Sequence, residues 1–224
     1  MPTFVDPNPR ELVEGDIALM NVTPLLFWQA EIPAIDPGCR VFFERFTKPE
    51  NLHKLFNESP CGLYLHGPSG IGKTYAAVAL AKAVRRHKIP AFFISSIELR
   101  DALKQDRAYR DIKEHQYSPV ATYRSRVTEV PLLVLDGLNR EDRYDAIFNI
   151  YHIEQLIAAR ALSGRLTIVT SPVGPPEFGP DGGLVGDDVF PGFFDRLRGC
   201  MVPVLMTGPI RKASPGAALL TGNP

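Results

Sequence analysis

Short apolar runs alternate with longer amphipathic runs along most of the chain. Apolar runs of five or six residues predict buried strands, whereas the longer runs have the periodicity of helices. This alternation suits one α/β domain with extensions, and 224 residues are enough to bury a substantial core. The predicted strands are residues 61–66, 90–95, 132–136, 166–170 and 201–206.

Polar residues at the ends of the amphipathic runs locate the predicted helices. Thr47 with Glu50, and Ser95 with Glu98, have the spacing of a capping box, which begins a helix. Ser163-Gly164 follows an apolar stripe and is expected to end the longest helix, because glycine readily closes a helix C-terminus. The predicted helices are residues 48–57, 75–84, 96–105, 141–162 and 193–198.

Prolines and glycines predict the segments outside this core. Residues 1–42 are expected to form an extended lead-in, with at most one short helix or strand near residues 19–30. Its apolar side chains should dock on the core, with an exposed partner-binding segment as the alternative. The domain itself is predicted to span residues 43–208, with an irregular loop over 171–192, and a frayed tail is expected over 209–224.

A glycine-rich segment follows the first predicted strand. Gly67-Pro68-Ser69-Gly70-Ile71-Gly72-Lys73-Thr74 fits the pattern G-x-x-x-x-G-K-[ST] at every constrained position. Glycines allow backbone N–H groups to point at phosphate oxygens, while Lys73 would contact the β- and γ-phosphates and Thr74 would offer its hydroxyl to Mg²⁺. The helix that starts here, with Tyr75 in its first turn, adds positive partial charge. Residues 67–75 are therefore predicted to bind a nucleoside triphosphate.

The third predicted strand ends in a carboxylate. Four apolar residues, 132–135, precede Asp136, which is the Walker B pattern. An acid at the C-terminal end of a parallel strand can hold the Mg²⁺ shell, in the crevice where open α/β sheets bind ligands. We therefore predict Thr74 and Asp136 as metal-binding residues, and Lys73 and Asp136 as catalytic residues. The alternative is a strand that ends in a turn aspartate before Gly137.

Charge is balanced, with 25 Lys and Arg against 25 Asp and Glu, so any nucleic-acid contact must come from a local patch. Residues 106–126 are a candidate, because bases can stack on tyrosines while arginines contact phosphates. Acidic residues are interspersed, so a solvated helical face is the alternative. The patch contains Arg107, Tyr109, Arg110, Lys113, Tyr117, Tyr123, Arg124 and Arg126.

The cysteines and the N-terminal apolar stretch bear on the compartment. Cys39, Cys61 and Cys200 are odd in number and far apart, which suggests neither a disulfide framework nor a zinc ribbon. Residues 17–28 are too few to span a bilayer. A cytoplasmic protein with no membrane contact is expected.

The order of these elements resembles the AAA+ ATPases of the DnaC-type helicase loader and IstB-type transposition helper family. The resemblance covers about residues 43–211 and is strongest over residues 63–74, 93–99, 132–136 and 167–171. Phe194-Asp195-Arg196-Leu197 is similar to the family's Ser-Arg-Leu segment, and Arg211 falls where such proteins often carry a closing arginine.

The resemblance implies a P-loop NTPase fold with three αβα layers and a five-stranded, mainly parallel sheet. It also implies ATP with Mg²⁺, and a replicative helicase or a transposase as partner, with single-stranded DNA as a further ligand. Arg196 would be a catalytic finger on a neighbour's nucleotide in an ATP-dependent homo-oligomer, and Arg211 would contact the cofactor.

Two positions depart from the family pattern. Gly137 stands where members usually have a second acid, and Pro172 replaces the asparagine that would position the attacking water. Weak or partner-stimulated ATP hydrolysis is therefore expected, with a non-hydrolysing, nucleotide-dependent adaptor as the alternative. A P-loop kinase of small molecules is less well supported, because residues 171–194 lack the arginines of a closing lid.

Overall fold

The computed structural model describes residues 27, 29–57, 62–102, 127–138, 143–174, 177–178, 184–185 and 199–208, and only the backbone of residues 143–151, 177–178 and 184–185. Within these ranges, no helix is both long enough and apolar enough to cross a membrane. Residues 96–102 are helical, and Ile32–Ala34 form a 3-10 turn. The other elements are α1 (Pro37–Phe46), α2 (Pro49–Asn57), α3 (Lys73–Arg85), α4 (Arg143–Leu162), β1 (Gly62–His66), β2 (Ala91–Ser95), β3 (Leu132–Asp136), β4 (Leu166–Ser171), β5 (Glu177–Phe178), β6 (Leu184–Val185) and β7 (Met201–Leu205).

Five of the strands form one sheet in which all neighbouring strands are parallel. The order is β2-β3-β4-β1-β7, so β4 lies between β1 and β3. Ile168 of β4 is in register with Leu63 on one side and Val134 on the other. Each predicted strand is present within one residue of its predicted ends, and the predicted α/β fold with a five-stranded parallel sheet is confirmed. All five carboxyl ends therefore meet at one edge of the sheet.

Helices cover both faces of the sheet. Successive strand residues point to opposite faces, and in this sheet both sets are apolar, which is why the strands appear as continuous apolar runs in the sequence. Leu65 and Phe93 pack on the face covered by α1, α2 and α3, whereas Leu133 and Val169 pack on the face covered by α4 and helical residues 96–102. The layers are therefore helix, sheet and helix, as expected.

Helix α1 lies where prolines predict an extended lead-in. Asp36 caps it, because Asp36 Oδ1 accepts a hydrogen bond from Gly38 N at 2.9 Å, and Pro37 occupies a first-turn position where its missing N–H costs nothing. Cys39 and Phe43 of this helix are buried in the core. The predicted start of the domain at residue 43 therefore falls inside a helix that belongs to the core.

The predicted capping box at Thr47 is wrong, although the helix expected after it is present as α2. The Thr47 hydroxyl donates instead to the carbonyl oxygens of Phe43 at 3.0 Å and Glu44 at 3.2 Å. The reason is that α1 ends just before Thr47, and its last carbonyl groups need donors. The box at Ser95 and Glu98 is confirmed, because Ser95 N donates to Glu98 Oε2 at 2.9 Å and Glu98 N donates to Ser95 Oγ at 3.2 Å.

The predicted irregular loop over residues 171–192 contains β5 and β6, which pair in antiparallel fashion. Each has two residues, which is too short for alternation to be visible in the sequence. The predicted helix at 193–198, the tail at 209–224 and the candidate patch at 106–126 lie outside the described residues.

The turn before α1 is tied to α3 by charge. Glu31 accepts hydrogen bonds from Lys82 Nζ at 3.0 Å and from Arg86 Nη2 at 2.7 Å. Burial raises the pKa of Glu31, but the hydrogen bonds from Lys82 and Arg86 outweigh it and lower the pKa overall. Ala30 and Ile32 beside this pair are buried, so this part of the lead-in docks on the core as expected.

Arg160 of α4 is fully buried and joins three parts of the chain. Its Nε donates to Thr167 Oγ1 at 3.0 Å, and its Nη2 donates to the Leu166 carbonyl oxygen at 2.6 Å. Its Nη1 donates to the carbonyl oxygens of Val127 and Thr128, so the segment that leads into β3 is held against β4. Burial lowers the pKa of Arg160 to about 9, with a smaller effect from the nearby charge of Arg165.

We predict that Arg160→Leu lowers the free energy of unfolding by about 3 kcal/mol, because several buried carbonyl groups lose their donor at once. Arg165→Leu is the matched control, since Arg165 Nε donates to the Glu129 carbonyl oxygen at an exposed position. Its expected cost is below about 1 kcal/mol. Urea denaturation measures both values. Equal losses of unfolding free energy in the two variants would show that the buried hydrogen bonds of Arg160 contribute no more than the exposed one of Arg165.

Candidate functional site

The glycine-rich loop, residues 67–72, joins β1 to α3 at the carboxyl edge of the sheet. Gly67, Gly70 and Gly72 have φ angles of 135°, 84° and 97°, a region that favours glycine. A Cβ atom on Gly67 would also lie 2.5 Å from the carbonyl oxygen of Met206, just after β7. The close approach of these two segments therefore depends on glycine at this position. The exposed tip of the loop is Pro68, Ser69 and Gly70.

Lys73 begins α3 with its ammonium group turned into the loop. The residue is only 7% exposed, and its Nζ donates to the carbonyl oxygens of Gly67 and Pro68, both at 2.7 Å. Ile71 is buried beside it. The positive charge thus lies within the loop that is expected to bind phosphates, and Lys73 also contributes to the packing there.

Asp136 at the end of β3 accepts two hydrogen bonds on one oxygen. Thr74 Oγ1, from the first turn of α3, donates to Asp136 Oδ1 at 2.8 Å. Thr170 Oγ1, from β4, donates to the same atom at 2.6 Å. Because β4 lies between β1 and β3, the Thr170 hydroxyl belongs to the strand that separates the loop from the carboxylate.

The same hydrogen-bond network holds the residue after Asp136. Gly137 N donates to Thr170 Oγ1 at 2.8 Å, and the Gly137 carbonyl oxygen accepts from Ser96 Oγ at 2.8 Å. Gly137 has a φ of 77°, and a residue with a Cβ adopts such an angle only at a cost in free energy. The backbone therefore makes a constrained turn at the position where the family pattern has a second acid.

Pro172 follows β4 in a turn held by Tyr64. The Tyr64 hydroxyl donates to the carbonyl oxygen of Val173 at 2.9 Å, and Val173 N donates to Ser171 Oγ at 3.1 Å. Burial raises the pKa of Tyr64, and a hydrogen bond with Ser171 only partly offsets this, so the phenol stays protonated at neutral pH. This turn contributes no amide side chain at position 172.

The side chain of Tyr75 is directed to the N-terminal turn instead of the loop. Its hydroxyl accepts a hydrogen bond from Glu31 N at 3.2 Å and donates to the Gln29 carbonyl oxygen at 3.4 Å. The prediction that Tyr75 belongs to the phosphate site rests on its place in the first turn of α3. Its side chain holds the turn before α1, so a contact with phosphate would come from its backbone.

Predicted site residues are thus brought together in part. Thr74 and Asp136 are in contact, and Lys73 lies within the adjoining loop. Arg196 and Arg211 lie outside the described residues. Thr170 and Ser96 were not predicted as site residues. Both are polar residues at or just after the C-terminal end of an apolar strand, a signal that could have identified them.

The oxygen atoms around Asp136 suit a small, hard cation. Mg²⁺ prefers carboxylate and hydroxyl oxygens and usually takes one or two protein ligands together with phosphates and water. The Thr74 hydroxyl and the Asp136 carboxylate lie 2.8 Å apart and provide such a pair. The residues present therefore fit the predicted cation.

Comparison with known proteins places these features in a family. The family model described as IstB-like ATP binding protein matches residues 52–171, which is more than half of the chain. This range begins in α2 and ends with β4, so it contains the loop, Asp136 and Thr170. No curated protein sequence matches the chain.

Solved structures share the fold at low sequence identity. The DnaC helicase loader is 21% identical over 82% of this chain and 100% of its own, with a TM-score of 0.58. DnaI is 22% identical over 84% of this chain and 94% of its own, with a TM-score of 0.56. The replication initiator DnaA bound to AMPPCP and single-stranded DNA is 17% identical over 81% of this chain and 51% of its own, with a TM-score of 0.54.

We predict that Gly137→Ala lowers the free energy of unfolding by about 1 kcal/mol, because a Cβ is disfavoured at this φ. Gly199→Ala is the matched control, since a Cβ there would meet no atom within 4 Å. Its expected cost is close to zero. Urea denaturation of both variants tests the point, and an unchanged stability of the Gly137 variant would show that the turn tolerates a side chain.

Proposed function

The chain belongs to the family of IstB-like ATP binding proteins. From this membership we propose that it is an AAA+ protein that uses bound Mg²⁺-ATP to control its contact with a replicative helicase or a transposase. The observation that carries the proposal is the contact between Thr74 and Asp136 beside the glycine-rich loop. This contact brings a loop suited to phosphates and a carboxylate suited to a cation to one place, so both can act on the same ligand.

In the proposed complex, the backbone of residues 67–74 surrounds the β- and γ-phosphates. Lys73 Nζ exchanges the carbonyl oxygens of Gly67 and Pro68 for phosphate oxygens, which are better acceptors because they are charged. The N-terminus of α3 adds its partial positive charge. All of these contacts are made to phosphate groups. ADP lacks the γ-phosphate, so it can make only some of them.

Thr74 and Asp136 are the proposed cation-binding residues. Bound Mg²⁺ would neutralise charge on the phosphate oxygens. Asp136 holds its position because Thr170 donates to Oδ1 from the neighbouring strand. Thr74 would offer its hydroxyl to the cation, and Thr170 would keep Asp136 oriented.

Slow turnover by the isolated chain is also part of the proposal. Phosphoryl transfer to water needs a group that orients the water and groups that stabilise charge on the γ-phosphate. Gly137 has no side chain, its N–H and carbonyl groups are both engaged, and Pro172 offers no amide. Glu98, in the first turn of the helix that follows β2, is held in its capping box. Arg196 from a neighbouring subunit is proposed to supply the missing stabilisation in an ATP-dependent oligomer.

The partner is proposed from the family and from the fold. The matched family is named for IstB, and similar folds occur in a DnaC helicase loader and in DnaA bound to single-stranded DNA. A role in DNA replication or transposition in the cytoplasm is therefore part of the proposal, with residues 106–126 as the proposed contact to single-stranded DNA. The second candidate is an adaptor that binds ATP without turnover, which the constrained backbone at Gly137 favours.

We predict that Lys73→Met weakens ATP binding by about 100-fold, the effect of losing roughly 3 kcal/mol of charge-assisted hydrogen bonding. Methionine is chosen because Lys73 is buried and alanine would leave a cavity. Isothermal titration measures the affinity. Lys82→Met, at the other end of α3, should bind ATP like the parent, and an unchanged affinity of the Lys73 variant would reject the phosphate site.

We predict that Thr170→Val reduces the gain in ATP affinity that Mg²⁺ provides by about tenfold, because Asp136 loses the donor that orients it. ATP affinity in EDTA should not change, since the loop does not depend on Thr170. Thr170→Ser keeps the hydroxyl and should behave like the parent. If the valine variant weakens binding equally with and without Mg²⁺, then Thr170 acts on the fold as a whole and not on the cation site.

Turnover and assembly test the proposed function itself. Phosphate release by the dilute parent should be slow, and a neighbouring Arg196 can contribute about 10³-fold or more when subunits assemble. Arg196→Ala should therefore reduce ATP-dependent self-association and stimulated turnover more than it reduces ATP affinity. Sedimentation with ATP and with ADP measures assembly. Binding without turnover under every condition, including added single-stranded DNA and helicase, would favour the adaptor.

A further inference from the structure

Helix α2 forms a ridge between two grooves on the surface. The first groove, of about 310 Å³, lies between α2, α1 and the edge strand β7. The second, of about 360 Å³, lies between α2 and the turn that follows α3. Together, α2 and its two grooves are called the α2 face below. Cavities of this size can each take one or two side chains of a partner.

Both grooves have apolar floors. Leu55 and Leu63 line the first groove, and Val202 of β7, which is 41% exposed, borders it. Leu52 and Ile89 line the second groove. Strand β7 is an edge strand whose outer side has no strand partner among the described residues. An apolar groove that borders an edge strand, as the first groove does, is typical of an interaction site.

The charged residues that line the two grooves are all basic. Arg45 and Lys54 line the first groove, and Arg86 and Lys88 line the second. Arg86 forms a salt bridge with Glu31, but no described Asp or Glu lines either groove. The chain as a whole has no net charge, so this arrangement is a local asymmetry.

The α2 face lies away from the nucleotide site. The second groove is next to Arg86 and Lys88, which follow the C-terminal end of α3, whereas Lys73 begins that helix. A helix of 13 residues is about 20 Å long. The α2 face is therefore separate from the loop, although one helix joins the two.

We propose that the α2 face binds an acidic, apolar segment of a partner protein. Two separate apolar pockets on either side of a ridge suit apolar anchor side chains, and the basic rims suit acidic residues between the anchors. A single nucleic-acid strand would instead need a continuous line of cations and exposed aromatic rings. Of the two phenylalanines that line the first groove, Phe46 is buried, whereas Phe42 is 38% exposed and packs edge to face against Phe43. The cations lie in two separate grooves and form no continuous line. A symmetric contact between two α2 faces would bring like charges together.

A labelled peptide of about 15 residues that alternates glutamate with leucine or phenylalanine is the first probe for such a groove. Fluorescence anisotropy with the full chain should show saturable binding at about 0.1 M salt. Replacing its leucine and phenylalanine by serine, or its glutamate by lysine, should abolish binding. Oligo(dT) is the probe for the nucleic-acid alternative, and sedimentation of the chain alone is the test of self-association.

Lys54→Glu and Lys88→Glu place an acid in one groove each, and each should weaken binding of the acidic peptide by about tenfold. Lys48→Glu is the matched control, because Lys48 is exposed between α1 and α2 but lines neither groove, and its affinity should stay within about twofold of the parent. ATP affinity of all three should equal that of the parent, which separates this test from the proposed nucleotide site.

Four results would overturn the proposal. The first two are that the acidic peptide does not bind, or that the serine peptide binds as tightly as the acidic peptide with its leucine and phenylalanine. The third is that Lys48→Glu weakens binding as much as Lys54→Glu and Lys88→Glu do. The fourth is that the α2 face instead accounts for oligo(dT) binding or for self-association. The last result would assign the face to nucleic acid or to a second copy of the chain.

Discussion

The acceptor atom Asp136 Oδ1 is the point on which the arrangement of the site depends. Thr74 and Thr170 both donate to it, so the start of α3 and the ends of β3 and β4 converge on a single oxygen. Thr170 also accepts from Gly137 N, which links the orientation of the carboxylate to the course of the backbone that follows it. A hydroxyl that donates to one neighbour and accepts from another couples the two positions more strongly than apolar packing would.

This convergence is possible because the sheet is parallel throughout. Parallel strands direct all their carboxyl ends to one edge, so the loop after β1, Asp136 and Thr170 come together although they are far apart in sequence. The turn after α3 lies at the opposite end of the strands, and α3 runs from one end to the other. A change in nucleotide contact that shifts α3 would therefore also move the turn at the opposite end, since a packed helix moves as a rigid unit.

Local signals were sufficient for most of the elements. Short apolar runs located the strands, because a buried parallel strand is apolar on both faces and is followed by polar turn residues. The box at Ser95 and Glu98 formed because its partners are three residues apart and no neighbouring helix competes for them. At Thr47 the same signal failed, since the Thr47 hydroxyl donates to carbonyl groups in the last turn of α1. The prolines at 33 and 37 favour an extended segment in the sequence analysis, although α1 is present there. Proline is compatible with both an extended segment and the first turn of a helix.

Residue types at fixed spacings are enough to predict the loop pattern of residues 67–74, the carboxylate at 136 and the lack of a side chain at Gly137. The position of β4 between β1 and β3, through which Thr170 holds Asp136 and Gly137, is visible only in the folded chain. The contact of Tyr75 with the N-terminal turn is likewise visible only there. Strand order and side-chain partners arise from contacts between residues that are distant in sequence, and no local pattern encodes which of several apolar strands will be neighbours.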